Sequence, residues 1–189
     1  MTKIYVSASE MACAFPVAVR DKARLAFSSF PATRLLCGSF SAVVDGDIVS
    51  IPARIHNDPS FIHTELLTEA QREMVDCLLT RHSDGFVRER HLTQIIRSKS
   101  VWVPPFVIQL VGEYVVEILN VVRQNLNELD ASLYASFLRA NRGFFATTER
   151  RVTSYWDCYY RAQKREEYVG FQLIAFFQSL LNNGGRVDH

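Results

Sequence analysis

Between Leu35 and Ile55 apolar positions recur at every second residue around a tight turn. Phe40, Ala42 and Val44 alternate with small or polar residues, Asp45-Gly46 follows, and Val49, Ile51, Ala53 and Ile55 then share one face. Period-two alternation predicts strands, and Asp-Gly tolerates the positive φ angles of a two-residue type I′ turn, so a β-hairpin is expected here. Pro52 cannot donate to a ladder, which assigns the second strand to an edge. Ile4 to Ser7 is a candidate third strand. Val17 to Phe30, bracketed by Pro16 and Pro31, carries a weak helical pattern.

The polar, turn-rich run from His56 to Ser60 marks a change from strand to helix. Thr68 and Gln71 form a capping-box pattern ahead of an apolar stripe of Met74, Val75, Leu78 and Leu79. Asp84 is placed to cap the next helix, in which Phe86, Val87, Leu92, Ile95 and Ile96 face inward. Pro104-Pro105 opens a third helix that is expected to run to about Leu126, because proline is tolerated in a first turn. Asn127 to Asp130 interrupts the chain. Further helices are expected over Ala131 to Asn141, Thr148 to Arg161 and Arg165 to Asn182, the last closed by Asn183-Gly184-Gly185. The fold class is therefore α+β and predominantly helical. A small antiparallel sheet within residues 1–57 precedes a five- to six-helix body over residues 64–185, in one domain spanning residues 1–189.

Within the second of these helices, Asp84-Gly85-Phe86-Val87-Arg88, with Leu92 four residues on, resembles the Asp-x-x-Val-Arg start of the second helix in a HEAT-type repeat. The resemblance covers one helix pair of about thirty residues, and no second copy follows at a period of about 40. It implies a local helix pair and no array.

Composition narrows the function classes. Apolar residues make up 48% and charged residues 22% of the chain, a globular balance. A formal charge of +1 excludes strong whole-molecule steering toward nucleic acid or an anionic membrane, so a charged partner has to be met by a local patch. Phe106 to Val122 is apolar but contains Gln109, Glu113 and Glu117, and Tyr168 to Leu181 is too short for about 30 Å of hydrocarbon; no membrane partner is expected. Ser7, Ser9 and Glu10 interrupt the apolar stretch after Lys3 before a signal-peptide core can form. Cys13, Cys37, Cys77 and Cys158 are scattered singly, as in a reducing compartment, and a cytoplasmic location is expected. Cys77 and Cys158 read as small buried hydrophobes.

Motifs for chemistry are sparse. The eight glycines form no G-x-S-x-G turn, P-loop or G-x-G-x-x-G, and no Asp or Glu precedes a His by three positions as a di-metal bundle requires. His56, Asp58, His63 and Glu65 are the densest set of metal-ligand types, yet their spacing matches no defined site, so no metal and no cofactor are expected. His82 and His91 read as hydrogen-bonding residues at a helix end and a core margin. Gln109, Glu113 and Glu117 fall on one narrow face of the third helix at a spacing of four. That face either meets water, pairs with an arginine such as Arg88, Arg90, Arg123 or Arg139, or serves a ligand.

From residue 139 to 165 seven basic residues (Arg139, Arg142, Arg150, Arg151, Arg161, Lys164 and Arg165) oppose only Glu149 and Asp157, with Tyr155, Trp156, Tyr159 and Tyr160 interleaved. Arginines neutralise phosphates and aromatic rings stack bases in single-strand binders, whereas the same spacing also packs rings in a core while arginines reach solvent. Phe171, Leu173, Ile174, Phe176, Phe177, Leu180 and Leu181 cover more than one stripe of the last helix, which makes Phe177 and Leu181 candidates for an interface. The function expected is that of a non-catalytic protein-interaction or regulatory protein, with a protein partner or a second copy. The alternatives are a nucleic-acid binder using Arg139, Arg142, Arg150, Arg151, Tyr155, Trp156 and Arg161, or an enzyme whose site leaves no sequence motif.

Overall fold

A computed structural model describes residues 5–28, 30, 33–34, 38–57, 59, 62 and 64–183. The protein is predominantly helical α+β. The described residues pack as two compact units that divide between Ile95 and Ile96.

In the N-terminal unit β1 (Tyr5–Val6) pairs antiparallel with β2 (Thr33–Arg34), and β3 (Ser39–Val44) pairs antiparallel with β4 (Asp47–Pro52). The expected hairpin is present. Asp45 and Gly46 hold φ angles of 51° and 82°, the two positive values that a tight primed turn demands. Val44 therefore faces Asp47 across the turn, and Ala42, Val44, Val49 and Ile51 share the buried face. The open edge of β4 is met by the chain from Cys13 to Val17: the Ser50 N–H donates to the Cys13 carbonyl at 2.9 Å, and the Asp47 carboxylate accepts from the Val17 N–H at 2.8 Å. Tyr5–Val6 thus forms its ladder with β2 and adds no third strand to the hairpin.

Helices also occupy this half of the chain. In α1 (Ala8–Ala12) Ser7 and Glu10 form a capping box, and the weak pattern after Pro16 resolves into a 3-10 turn at Val17–Val19 and α2 (Arg20–Ala26). The box expected at Thr68 and Gln71 opens α3 (Glu69–Leu79), with each side chain accepting from the other residue's backbone N–H at 3.3 and 3.0 Å. The Asp84 carboxylate accepts from the Phe86 N–H at 2.8 Å and opens α4 (Gly85–Ile95). Met74, Val75 and Leu78 of α3 and Leu92 and Ile95 of α4 are all buried.

The join between hairpin and helices is made by a buried cation. Arg81, just beyond α3, is 0% exposed. Its guanidinium donates to the carbonyls of Ala53 at 2.8 Å and of Pro52 and Thr80 at 3.4 Å, and it lies 5.7 Å from the centroid of the Phe40 ring. The Arg81 carbonyl accepts from the Ile55 N–H, and the Ile55 carbonyl from the Ser83 N–H, so the chain leaving β4 is zipped to the turn after α3. Nearby, Arg88 is buried and donates to the carbonyls of His82 and Ser83, both at 2.9 Å. Burying a charge is costly unless it is hydrogen-bonded, and here backbone carbonyls supply those bonds. Arg81→Met keeps the length of the side chain but leaves the carbonyls without their donor. Urea unfolding is expected to show a loss of about 3 kcal/mol. A loss below about 0.5 kcal/mol, the level of an ordinary surface substitution, would contradict this role.

The C-terminal unit contains α5 (Pro104–Val111), α6 (Val116–Gln124), α7 (Ala131–Ala140), α8 (Arg142–Tyr155), a π-helical segment at Trp156–Tyr160, and α9 (Val169–Asn183). Pro104 and Pro105 open α5 as expected, and Asp130 caps α7 by accepting from the Leu133 N–H at 3.0 Å. Two expectations are corrected. The third helix does not run on to Leu126, because it stops at Gly112 and restarts after Val115, whose backbone is extended. Helix α8 begins at Arg142, directly after Asn141, and ends in the π-helical segment. Between residues 64 and 183 the body accordingly has seven α-helices among the described residues, where five or six were expected. Every residue of α5 is buried, and α5 and α9 each touch all the other helices of the unit. Phe177 belongs to that core. It is 0% exposed, with its ring 5.8 Å from Tyr134, so it does not present the surface expected of an interface residue; Leu181 is half-buried.

Candidate functional site

The break after α5 shapes one face of the C-terminal unit. A Cβ on Gly112 would lie 3.3 Å from Cδ of Arg151 and 3.4 Å from Cγ2 of Thr148, so glycine lets the end of α5 approach α8 closely. The chain then turns and carries Tyr114 to the last residue of α8. The rings of Tyr114, Tyr155 and Tyr159 form a three-membered cluster with centroid separations of 5.6, 5.8 and 6.2 Å. Tyr114 is 50% and Tyr159 67% exposed.

This exposed cluster is held from beneath. The Tyr160 hydroxyl donates to the Tyr114 carbonyl at 2.8 Å, which satisfies a backbone group that the broken helix leaves without an intrahelical partner. Tyr160 in turn stacks on buried Tyr168 with centroids 4.9 Å apart. Burial, reinforced by the Glu117 charge, raises the Tyr160 pKa, and burial together with Tyr160 pushes Tyr168 up to about 12. Both phenols therefore keep their protons at neutral pH, and the bond to Tyr114 persists. The π-helical segment widens the turn at Trp156–Tyr160, so that consecutive bulky rings diverge: Tyr159 toward Tyr114, Tyr160 toward Tyr168, and Trp156 toward Phe171 at 5.8 Å.

Arg165 lies on the Trp156 side of that segment. Its guanidinium carbon is 5.3 Å from the Trp156 centroid and 4.4 Å from that of Phe171, and the indole N–H donates to the Gln163 carbonyl at 3.0 Å. Two solvent-open grooves meet at Arg165. One, of ≈ 540 Å³, is lined by Glu149, Arg150 and Ser154 of α8 and by Trp156 and Asp157 of the π-helical segment, and the other, of ≈ 470 Å³, by Glu166, Phe171 and Gln172.

The sequence-selected residues divide among several environments. Tyr155 belongs to the tyrosine cluster, and Arg150 and Trp156 line the first groove. Arg161 donates to Asp157 through Nε at 3.0 Å and Nη2 at 2.6 Å, so its charge is offset within its own turn. Arg151 packs its stem by Gly112, and Arg139 and Arg142 are exposed at the end of α7 and the start of α8. Gln109 and Glu113 are buried, whereas Glu117 is exposed in the first turn of α6. The helix break at Gly112 thus separates the three residues that were expected to share one face. The contacts of Tyr114 with Tyr155 and of Arg165 with Trp156 leave no local signal in the sequence. Tyr114 lies inside an apolar run that reads as helix, and its contact spans about forty residues of sequence.

Elsewhere the titratable candidates serve structure. His82 Nδ1 accepts from the Asp84 N–H at 3.0 Å, and burial lowers the His82 pKa against the opposing Asp84 charge. His91 Nδ1 lies 2.7 Å from the Asp76 carboxylate. Cys77 is buried, which raises its thiol pKa well above the usual value, while Cys158 is exposed on the π-helical segment instead of buried among the aromatics. Asp58 and His63 lie outside the described residues, among which no group of three or more His, Cys, Asp or Glu is placed to hold a metal ion. Among the described residues no helix is long and apolar enough to cross a membrane. Comparison of the chain with protein-family models, curated proteins and solved structures finds no match in any of the three.

The support under the cluster has little slack. A Cβ on Gly170 would meet the Tyr168 ring at 2.6 Å and Val152 Cγ1 at 2.9 Å, and both neighbours are buried. Gly170→Ala is expected to destabilise the protein by about 1–3 kcal/mol through overpacking, read as a lowered urea midpoint. An unchanged or raised midpoint would show that Tyr168 moves aside freely and does not fix Tyr160.

Proposed function

We propose that this chain is a non-catalytic interaction protein that recognises a protein partner through the exposed tyrosine cluster of its C-terminal unit. The observation that carries the proposal is the exposed cluster of Tyr114, Tyr155 and Tyr159, pinned by the Tyr160 hydroxyl. Tyrosine gives a large, rigid and amphipathic contact surface at small entropic cost, and a cluster already in place has less ordering to lose on binding. Protein is favoured over nucleic acid because exposed Glu117 follows Tyr114 closely, Glu149 and Asp157 line the groove, and Arg161 is already matched by Asp157. The thiols of Cys13, Cys77 and Cys158 are not joined in disulfides, which fits the reducing cytoplasm that we assign to the protein.

The test compares two baits in extract from the native cell, the wild-type chain and Tyr114→Ser/Tyr159→Ser, with retained material identified by mass spectrometry. Removing two aromatic anchors is expected to weaken retention of a specific protein about 30-fold or more while leaving the melting temperature within a few degrees. Nuclease-sensitive retention of RNA or DNA in place of protein would transfer the function to nucleic-acid binding. Equal retention by both baits would contradict the assigned face.

A further inference from the structure

The turn between α3 and α4 is closed by an imidazole that has to be neutral. A backbone N–H can only donate, so the Asp84 N–H at 3.0 Å requires a lone pair on His82 Nδ1 and leaves the ring proton to Nε2. The ring also hydrogen-bonds the backbone at Asn57, and the side chain is buried. His82 ties the turn together through its own backbone as well, since it bridges to Ile55 beyond β4 and its carbonyl accepts from Arg88 at 2.9 Å.

Among the described residues the charges around this ring oppose a second proton. Arg88 of α4 lies beside it, buried Arg81 precedes it in the chain, and the His56 ring on the segment leaving β4 is 6.5 Å away. The Asp84 carboxylate alone favours the charged ring, but it is exposed and already accepts from the Phe86 N–H at 2.8 Å. Burial outweighs it and lowers the His82 pKa from the ordinary 6.5. A proton on Nδ1 would set two donors against each other and add a positive charge next to Arg88.

We propose that the His82 turn is an acid-sensitive latch, in which uptake of a proton at Nδ1 breaks the bond from the Asp84 N–H and releases the start of α4 from the chain leaving β4. The closed turn holds the ring neutral, whereas the open turn exposes it with its ordinary pKa. The open form therefore binds the extra proton and gains as pH falls below about 6.5, and above that value the latch stays closed. The far part of α4 responds in the other direction, because His91 faces the Asp76 carboxylate at 2.7 Å and a ring proton there completes an ion pair. Opening is thus confined to the N-terminal end of the helix.

Amide hydrogen exchange of the full chain, resolved by NMR at about pH 7.5 and about pH 5.0 and corrected for the chemical exchange rate at each pH, tests the latch. The opening equilibria at Ser83, Asp84 and Arg88 are expected to rise about tenfold in acid, the size that loss of one buried hydrogen bond produces, while those at Ile95 and Phe177 change less than about twofold. His82→Gln keeps an acceptor for the Asp84 N–H and does not titrate, so it is expected to abolish the rise. An unchanged wild type, the same rise in His82→Gln, or an equal rise at Ile95 and Phe177 would overturn the latch. Ring-nitrogen NMR of the wild type tests it without a variant: Nδ1 is expected to carry no proton at neutral pH and to gain one with a midpoint below about 6.5, and a protonated Nδ1 at neutral pH or a higher midpoint would overturn it.

Discussion

The close approach of α5 to α8 at Gly112 governs the surface of the C-terminal unit. With a hydrogen in place of a side chain, the end of α5 comes within van der Waals reach of Arg151 and Thr148 at the point where the helix stops. Continuing it would carry Tyr114 along the helix and away from its present site. Stopping it leaves the Tyr114 carbonyl without a helical donor and brings that carbonyl to the Tyr160 hydroxyl. The chain from Gly112 to Tyr114 is thus fixed at both ends, by packing at Gly112 and by a hydrogen bond at Tyr114. An exposed aromatic cluster on a mobile loop would have to be ordered by its partner; this one is ordered by its own unit.

The two units put arginine to opposite uses. Arg81 and Arg88 in the N-terminal unit are buried and donate to carbonyls of the turns around them, acting as internal caps that join a hairpin to a helix pair. Arg150 and Arg165 in the C-terminal unit lie at a groove, and aromatic rings hold Arg165 where a carboxylate could have done so. A guanidinium suits both tasks because it is planar, always charged and equipped with five donors. What differs is which acceptors the surrounding chain has already supplied.

Much of the fold was legible because its signals are local. Asp45-Gly46, Thr68 with Gln71, Asp84, Pro104-Pro105 and Asp130 each fix a turn or helix start through neighbours a few residues away, and the structure contains every one of those features. The interruption of the third helix was hidden because Gly112 to Val116 sits within an apolar run, and the approach of α8 at that point involves residues nearly forty positions later. Phe177 looked like surplus hydrophobic surface for a related reason: a helix touched by four others needs apolar residues on several sides, and sequence alone does not count its neighbours. Of the candidate site, the Arg139 to Arg165 stretch was visible as composition. Its division into an offset Arg161, a packed Arg151 and a ring-held Arg165 required coordinates.

The central claim is that Tyr159 and its neighbours meet a partner protein in the cell. A photo-crosslinking amino acid placed at Tyr159 tests this directly, with one at Phe86 as the comparison, since Phe86 is 81% exposed in the N-terminal unit and shares only its exposure with the proposed face. On irradiation of living cells the account expects a discrete protein adduct from position 159 that position 86 does not give. No adduct at 159, or the same adducts from both positions, would contradict it.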